Sequence, residues 1–378
     1  MKLYRLGSLT DAAALMQKLD VDKPGIKIMA KKANLQLYMI KDLHVGAANI
    51  LKQDALSIGA DLAVPNGTIT CEKKYVDALL IGTKKHIEIL ATKELAQPYG
   101  LKELAKALRT YLATHTHPLQ IMGVINANED SFYPGSRFMG EAALAKIEKM
   151  IDEGADIIDI GGMSTRPGSE EVSEEEELAR IRPIVDLMAG RDVRAKLSID
   201  TYRPKVARYA LEHGFHILND ITGLANDELA RIAAEYDATV VIMHMQGTPK
   251  TMQQNPYYED VVSEVSDFFA SRIEKAQRFG IKKIILDPGI GFGKRLEDNI
   301  ALIKHIKEFT KFGYPVLIGA SRKSMIDRIY PSEVQERLPG TLTLHLSAVH
   351  EGASIVRCHD VKEHAQALAV YRALKEQG

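Results

Sequence analysis

Short apolar segments that each end in a glycine or a polar residue recur eight times in the last two thirds of the chain. In chain order they read IMGVIN, DIIDIGG, KLSIDT, HILNDITG, VVIMHM, KIILDPG, VLIGAS and SIVRCHD. A segment of helical length follows each one. Apolar strands that alternate with helices are typical of a parallel sheet buried on both faces. Eight such units predict a (β/α)8 TIM barrel with its active site at the strand ends. The competing doubly wound sheet would carry GxGxxG after its first strand, and no such motif follows IMGVIN.

The sequence before the barrel has a different organisation. The segments IKIMA, LQLYMI, ALLIGT and HIEIL are interpreted as strands, and AANILKQDALSIGA and GLKELAKALRTYL as helices. This mixture predicts a smaller α/β or α+β N-terminal domain. The THTHP stretch is the expected boundary, so the predicted domains are residues 1–115 and 116–378. The first domain contains no glycine-rich phosphate loop, HExxH or CxxC motif, and we expect it to be a structural or oligomerisation accessory.

The composition of the chain argues against several classes of binding partner. The 378 residues are 46% hydrophobic and 26% charged, with a formal net charge of -1, so no bulk charge attracts nucleic acid or an acidic membrane surface. No apolar N-terminal signal segment and no run long enough to span a bilayer occur. With only two cysteines, Cys71 and Cys358, the chain is expected to be cytoplasmic and independent of disulfides.

Polar residues at three strand ends indicate a site for a heterocycle. Asp200 in SIDTY, Asn219 in LNDI and Asp287 in LDPGIGFGK would converge at one mouth of a barrel. Two carboxylates and an amide suit a 2-amino-4-oxo pyrimidine ring such as that of a pterin, and Lys323 can donate to the acceptors of the ring. Taken singly, each of the three has an alternative role as the cap of the following helix.

A second group of residues indicates an anion site. Arg166 in STRPG and Arg357 and His359 in RCHD offer donors for phosphate oxygens, and Asn126 in VINANEDSF offers an amide oxygen for a magnesium ion. Pyrophosphate would fit such a site. The alternative is that Arg357 pairs with Asp360 and that His359 is a buried, satisfied histidine.

Two apolar side chains have the shape to pack against a flat ring, namely Met243 in VIMHM and Phe292 in GIGFGK. A barrel core uses such residues as well. The remaining histidines are interpreted as structural because no set of them has metal-ligand spacing. They include His213, His216, His305 and His345.

From Leu119 to Leu374 the chain resembles the dihydropteroate synthase family. The resemblance rests on GGMSTRPGSEEVSEEEEL, SIDTY, ILNDITG, VIMHMQGTPKTMQ, IILDPGIGFGK, LIGASRKSMI and IVRCHD, in that order. It implies a transferase of folate biosynthesis that condenses 6-hydroxymethyl-7,8-dihydropterin pyrophosphate with 4-aminobenzoate, in the presence of Mg²⁺, to give 7,8-dihydropteroate and pyrophosphate. It also implies a homodimer formed through outer helices, and inhibition by sulfonamide mimics of 4-aminobenzoate.

The resemblance assigns a role to each matching position. Asp287, Lys323, Arg357 and His359 would be catalytic, and Asn126 would bind the metal. The pterin pocket would consist of Asp200, Asn219, Asp287 and Lys323, lined by Met243, Phe292 and Gly319. The pyrophosphate would contact Arg357 and His359, and the second loop and the aminobenzoate site would contain Thr165, Arg166, Arg322 and Ser324.

The first loop departs from the family pattern N-x-T-P-D-S-F. Asn128 and Glu129 stand where the family has Thr and Pro, and Pro134 follows the motif. A carboxylate beside an anion site disfavours binding unless it points away or meets the metal. Two other functions stay open. A methyltransferase acting on a methylated folate could use the same pterin pocket without the STRPG, SRK and RxHD residues, and a non-catalytic pterin-binding protein would tolerate the altered loop.

Overall fold

The computed structural model of the chain describes residues 3–4, 6–7, 9–113, 115–127, 136–163 and 172–376. The chain divides into two compact units, Met1–Thr114 together with Arg372–Gly378, and His115–Tyr371. The first unit contains an antiparallel sheet and the second a parallel sheet. Among the described residues, no helix has both the length and the apolarity that crossing a membrane requires.

The first unit is an α+β structure. Its antiparallel sheet has the order β1-β3-β2. The strands are β1 (Leu35–His44), β2 (Asp61–Ala63) and β3 (Tyr75–Thr83). The helices are α1 (Ala12–Lys18), α2 (Lys23–Met29), α3 (Val45–Ser57), α4 (Lys84–Lys93) and α5 (Leu101–Leu112). Apolar residues of the sheet, α3, α4 and α5 form a core, which includes Leu51, Leu80, Leu90 and Leu101.

Two of the four strands predicted in this unit are wrong. IKIMA lies largely in α2, because Asp22 caps the helix by accepting from Gly25 N–H at 2.8 Å and Pro24 occupies its first turn. HIEIL lies in α4, where Ile87 and Leu90 are buried on one face. That spacing of three residues is helical, whereas the alternation of Ile and Glu in the short segment had suggested a strand. The other two segments form β1 and β3, as predicted.

The predicted TIM barrel is confirmed in the second unit. Its parallel sheet runs in the order β10-β11-β4-β5-β6-β7-β8-β9. A parallel bridge between Leu286 and Val316 joins the last strand of that order to the segment before the first, which closes the barrel. The strands are β4 (Gln120–Asn126), β5 (Ile157–Gly161), β6 (Lys196–Asp200), β7 (Ile217–Asp220), β8 (Thr239–Met243), β9 (Ile284–Asp287), β10 (Leu317–Ile318) and β11 (Ile355–Cys358).

Helices cover the outside of the barrel, since each strand is followed by at least one. They are α6 (Ser136–Asp152), α7 (Glu174–Met188), α8 (Pro204–Glu212), α9 (Asp227–Glu235), α10 (Val261–Arg278), α11 (Leu296–Lys304), α12 (Lys307–Thr310), α13 (Ser324–Ile329), α14 (Leu338–His350) and α15 (Val361–Glu376). A large apolar core fills the layer between strands and helices. Seven side chains, one from each of seven barrel strands, form a second cluster. They are Met122, Ile157, Ile217, Val241, Ile285, Leu317 and Ile355. Because these side chains are all 5% exposed or less, the barrel is a packed core and the site lies above it, at the strand ends.

Candidate active site

The carboxyl ends of the barrel strands surround one pocket. Strand register pairs Asp200 of β6 with Asn219 of β7, and Met243 of β8 with Asp287 of β9. Paired residues of neighbouring strands project to the same side of a sheet, so these four side chains converge. The pocket comprises about 350 Å³ of space, which includes its opening to solvent. The described residues that line it are Asp200, Asn219, Ile221, Met243, Asp287, Gly289, Ile290, Phe292, Gly319, Lys323 and Arg357.

Eight of these lining residues are among the site residues predicted from the sequence, and three are not. The three are Ile221, Gly289 and Ile290. The only signal for the two isoleucines is that each follows a predicted polar residue by two or three positions. Gly289 has a clearer one, because its φ is +67° and a Cβ atom there would lie 2.0 Å from the carbonyl oxygen of His244. Only glycine allows this close approach of two loops.

A buried carboxylate that the sequence reasoning missed lies beneath the pocket. Asp159 of β5 has no exposed surface. Its Oδ1 atom accepts from the Ser198 hydroxyl at 2.6 Å, and its Oδ2 atom accepts from Asn219 Nδ2 at 2.9 Å and from Arg357 Nε at 2.7 Å. Because Nδ2 of Asn219 is engaged in this way, Oδ1 is the acceptor that Asn219 can present to a ligand. Asp159 therefore orients two residues of the pocket.

Arg357 is shared by two carboxylates. Its guanidinium also donates to Asp200 Oδ2 at 2.8 Å, besides contacting Asp159. Burial raises the pKa of Asp200 to about 7; Arg357 opposes this shift and the neighbouring Asp159 carboxylate adds to it. The alternative of an Arg357–Asp360 pair is wrong. Asp360 instead accepts two hydrogen bonds from Arg322, at 2.9 and 2.7 Å.

Asp287 is buried among cations. The residue is 6% exposed, and its carboxylate accepts from Gly289 N–H at 2.7 Å. Burial raises its pKa, and that hydrogen bond together with the charges of Lys323, Arg357 and Lys294 acts in the opposite direction. An acceptor in this environment can pair with a ring N–H, and it can stabilise positive charge that develops on a bound molecule.

Lys323 and Phe292 form one wall of the pocket. The Lys323 ammonium lies 4.1 Å from the centroid of the Phe292 ring, a cation–π contact. Lys323 is also the residue before the first turn of α13. Its position in the segment between β10 and α13 is therefore set by the start of the helix as well as by the contact with the ring.

Four other predicted residues do not line the pocket. The Arg322 guanidinium binds Asp360 and the carbonyl oxygens of residues 334 and 335, so it holds loops together. Ser324 is exposed in the first turn of α13. His359 Nδ1 lies 2.9 Å from the Ser321 hydroxyl. Asn126 is the last residue of β4.

Several predicted features fall outside the described residues. These are the second-loop residues Thr165 and Arg166 and the first-loop positions Asn128, Glu129 and Pro134. Within residues 3–127, 136–163 and 172–376, as far as they are described, no group of three or more His, Cys, Asp or Glu side chains is arranged to hold a metal ion.

Comparisons with known proteins agree with this geometry. A family model described as pterin binding enzyme matches residues 122–359. The bifunctional dihydropteroate synthase/dihydropteroate reductase of Helicobacter pylori is 41% identical over 364 residues, which are 96% of this chain and 96% of the relative. The dihydropteroate synthase of Escherichia coli K12 is 44% identical over 261 residues, 68% of this chain and 92% of the relative.

Solved structures match the barrel. The Yersinia pestis dihydropteroate synthase in complex with a sulfonamide drug has a TM-score of 0.64 at 39% identity, and the match covers 69% of this chain and 98% of that one. The Xanthomonas albilineans dihydropteroate synthase in complex with 7,8-dihydropteroate has a TM-score of 0.61 at 36% identity, with 70% and 95% covered. The relatives that match the barrel are synthases, which favours this activity over the methyltransferase alternative. The chain therefore belongs to the dihydropteroate synthase family of pterin-binding transferases.

Proposed function

We propose that this chain condenses 6-hydroxymethyl-7,8-dihydropterin pyrophosphate with 4-aminobenzoate to give 7,8-dihydropteroate and pyrophosphate. The observation that carries the proposal is a single pocket with three acceptor side chains, Asp200, Asn219 and Asp287, and two cations, Lys323 and Arg357. A donor-rich heterocycle with an anionic leaving group needs both kinds of group. Membership of the family supports the same reaction.

The pterin ring would be recognised by its hydrogen-bonding edge and by its faces. Its ring N–H and amino groups would pair with Asp200, Asp287 and Asn219 Oδ1, and its acceptors would meet Lys323. Met243 and Phe292 would pack against the ring. A buried site of this kind rejects analogues that lack the donors, because its own acceptors would then stay unpaired.

The chemical step exchanges one bond for another at the methylene group of the pterin. Pyrophosphate leaves with the electron pair of the C–O bond, and Asp287 stabilises the positive charge that develops on the pterin. Arg357 and His359 donate to the departing oxygen atoms. The amino nitrogen of 4-aminobenzoate forms the new C–N bond and releases a proton to solvent. An arylamine is a neutral nucleophile at neutral pH, so no strong base is required.

A magnesium ion would arrive bound to the pyrophosphate and would need few ligands from the protein. Mg²⁺ commonly keeps several waters and phosphate oxygens and takes only one or two protein ligands. The amide oxygen of Asn126 would supply that protein ligand. The ion would neutralise charge on the leaving group.

The 4-aminobenzoate would lie at the loop that precedes α13. Because the Arg322 guanidinium already makes four hydrogen bonds to the protein, we assign the carboxylate of 4-aminobenzoate to Ser324, with Arg322 holding the loop. Thr165 and Arg166 would contribute from the second loop. Sulfonamides that mimic 4-aminobenzoate would compete for the same place.

Mass-spectrometric detection of 7,8-dihydropteroate tests the reaction. Purified protein is incubated with both substrates and Mg²⁺, with and without a chelator. We expect a magnesium-dependent product, and we expect Asn126→Ala to need more magnesium for the same rate. Pterin binding without any product would favour a non-catalytic pterin-binding protein. Undiminished turnover of Asn126→Ala at low magnesium would overturn the metal assignment.

We also propose that the protein acts in the cytoplasm as a homodimer. The absence of a disulfide fits a reducing compartment, since among the described residues Cys71 is exposed and Cys358 is buried as free thiols. Light scattering coupled to size-exclusion chromatography gives the mass of the assembly. A mass near that of one 41.9 kDa chain would contradict the dimer.

A second candidate activity is the reduction of dihydropteroate. The E. coli relative, named only as a synthase, aligns over 68% of this chain, whereas the bifunctional H. pylori relative aligns over 96% and thus extends beyond the barrel. Reduction adds a hydride to C6 and a proton to N5 of the dihydropterin, and a reduced nicotinamide or reduced flavin would be the donor. Incubation with dihydropteroate and either donor should give a product heavier by two hydrogens. An unchanged mass in the presence of both donors, with synthase activity intact, would exclude this second activity.

A further inference from the structure

Lys294, in the motif GFGK, is a buried cation to which the proposed reaction assigns no role. The residue is 2% exposed. The ammonium donates to the carbonyl oxygens of His244 at 3.1 Å, Gly289 at 2.9 Å and Phe292 at 3.0 Å. A lysine ammonium has three N–H donors, so all three are satisfied by main-chain oxygens.

The three acceptors come from two different segments of the pocket wall. His244 directly follows β8 and the pocket residue Met243, whereas Gly289 and Phe292 belong to the loop after β9 and line the pocket themselves. The ammonium therefore bridges the end of one strand and the loop after the next. Without the ammonium, the carbonyl oxygens of His244 and Phe292 would lose this donor, whereas that of Gly289 also accepts from Phe292 N–H at 3.1 Å.

The contact between these two segments is close. A Cβ atom at Gly289 would lie 2.0 Å from the His244 carbonyl oxygen, and one at Gly293 would lie 2.4 Å from that of Gln246. Both glycines have positive φ values, +67° and +60°. The backbones thus touch with no side chain between them. Lys294 supplies the donors that let several carbonyl oxygens point towards one another.

The same loop fixes the carboxylate of Asp287. Gly289, whose carbonyl accepts from Lys294, donates its own N–H to Asp287 Oδ1 at 2.7 Å. Burial lowers the pKa of Lys294 to about 7, and the charge of Asp287 acts against that shift. The ammonium is therefore coupled to the pocket through both hydrogen bonds and charge.

We propose that Lys294 is a positioning residue of the synthase, whose buried ammonium holds the loop after β9 against the end of β8 and thereby sets the Asp287 carboxylate and the Phe292 ring for pterin binding. This inference rests on the proposed function, since it assigns a role towards the pterin substrate. It differs from a purely structural role in what it predicts. A structural role lowers the stability of the protein and the active fraction, whereas a positioning role changes the affinity of the folded protein for pterin.

Lys294→Met tests the inference because methionine keeps the length of the side chain and removes the ammonium. We expect the Kd for the pterin pyrophosphate, measured by calorimetry on folded protein, to rise roughly ten- to hundred-fold, since small misplacement of binding groups has effects of that size. The KM for 4-aminobenzoate at saturating pterin should change by about two-fold or less. Lys283→Met is the matched control. Lys283 directly precedes the first residue of β9, at the end of the strand away from the pocket, and its ammonium bonds Asp237 at the surface.

The remaining outcomes each decide the question. A folded Lys294→Met protein with wild-type pterin affinity would overturn the inference, even if its Tm were lower. If that variant does not fold, Lys294→Gln replaces it, because the amide retains two donors. Lys294→Gln should show a smaller rise in the Kd for the pterin pyrophosphate, and the Lys283→Met control should keep the wild-type affinity. Wild-type affinity in Lys294→Gln would then overturn the inference. If the wild-type protein itself does not bind the pterin pyrophosphate, the proposed function fails instead.

Discussion

Asp159 and Arg357, which are 198 positions apart in the chain, are joined by a hydrogen bond of 2.7 Å beneath the pocket. Asp159 has no exposed surface, and Arg357 is the lining residue that it orients. The same carboxylate also accepts from Asn219. One buried group thus fixes a residue of the proposed pterin site and a residue of the proposed pyrophosphate site in a constant relation.

Replacing Asp159 with Asn should damage both stability and binding. The amide keeps the shape of the side chain but removes the negative charge opposite Arg357. Its NH₂ group would also face a hydrogen-bond donor where the carboxylate offered an acceptor oxygen. Breaking a buried ion pair costs about 3 kcal/mol or more of unfolding free energy, and Asp200 retains part of the attraction here, so we expect about 3 kcal/mol. Urea unfolding gives the stability, and calorimetry should show pterin affinity at least roughly ten-fold weaker, a loss of about 1.4 kcal/mol.

Asp156→Asn is the control for this change. Asp156 lies one residue before β5, is exposed, and accepts from Ile121 N–H at 2.8 Å, a bond that the amide oxygen of Asn can keep. The unfolding free energy of this variant should stay within about 0.5 kcal/mol of the wild type. Equal stability and pterin affinity of Asp159→Asn and Asp156→Asn would show that the buried carboxylate does not organise the pocket.

Lys323→Met should lose turnover while the fold persists. The methylenes of methionine preserve the contact with Phe292, but the charge that lies 4.1 Å from its ring centroid is removed. We expect kcat/KM for the synthase reaction to fall by about 10²-fold or more, the size found for the loss of a preorganised charged donor. The circular dichroism spectrum and Tm should stay close to those of the wild type. Lys304→Met, an exposed position in the last turn of α11, should keep full activity. Turnover of Lys323→Met equal to that control would remove Lys323 from the catalytic residues.

The raised pKa of Asp200 predicts pH dependence of pterin binding. The carboxyl has a folded-state pKa of about 7, against an ordinary value of 3.8. Its ionised form is the acceptor for ring donors, so affinity should increase as the pH rises through about 7. The effect on stability has the opposite sign. The unfolded chain loses this proton near pH 4 and the folded chain keeps it to about 7, so the contribution of Asp200 to the free energy of unfolding falls over that interval.

Calorimetry with 6-hydroxymethylpterin, which carries no phosphate, measures this dependence between about pH 5.5 and about pH 7.5, where an unperturbed aspartate is fully ionised. The Asp200→Asn variant should bind more weakly and with a flatter profile. Asp287 remains in both proteins, and whatever slope it contributes is common to them. Identical slopes for the variant and the wild type would show that Asp200 does not titrate in this range.

Much of the barrel and of the pocket could be predicted from the sequence because the carboxyl ends of parallel strands meet at one place. Asp200, Asn219 and Asp287 each follow an apolar run, so their convergence follows from the fold class alone. Asp159 could not be predicted in the same way. It lies inside the run DIIDIGG, and only the packed structure shows that three donors surround it.

Pairings across loops could not be decided from the sequence. An Arg357–Asp360 ion pair stays open there as the alternative to a functional role of Arg357. In the structure Arg357 belongs to β11 and points to Asp159, whereas Asp360 follows the strand and meets Arg322 from the preceding β/α loop. The prediction of a strand at HIEIL was wrong for a different reason. Five residues are too few to separate a hydrophobic period of 2 from one of 3.6.

Two buried histidines connect the loops that carry Lys323 and His359. The backbone N–H of Ala320 donates to His345 Nε2 at 3.0 Å, so neutral His345 carries its proton on Nδ1. That proton faces His364 Nε2 at 2.9 Å, which leaves the His364 proton on Nδ1, 2.6 Å from the carbonyl oxygen of Asp360. One amide thus determines the tautomer of both rings. A further proton on either ring would place two donors against each other.

Acid should therefore weaken the protein through this pair. Burial lowers the pKa of both histidines from 6.5, most strongly for His345. The unfolded chain takes up these protons near pH 6.5 and the folded chain does so only at lower pH, so the stability they contribute is present above about pH 6.5 and is lost as the pH falls. Urea unfolding between about pH 7.5 and about pH 5 measures this slope, and replacing both histidines with Leu should make it shallower.

The double variant also isolates the contribution of the pair. At pH 7.5 it should be less stable than the wild type by about 1–3 kcal/mol, because the Ala320 N–H loses its buried acceptor. His244, whose pKa burial lowers to about 2, stays in both proteins and contributes the same slope to each. His305→Leu, at an exposed position, should leave the stability at pH 7.5 close to that of the wild type. If the double variant kept the full acid dependence of the wild type, the pair would be protonated in the folded protein, and the single-proton tautomers deduced from Ala320 would be wrong.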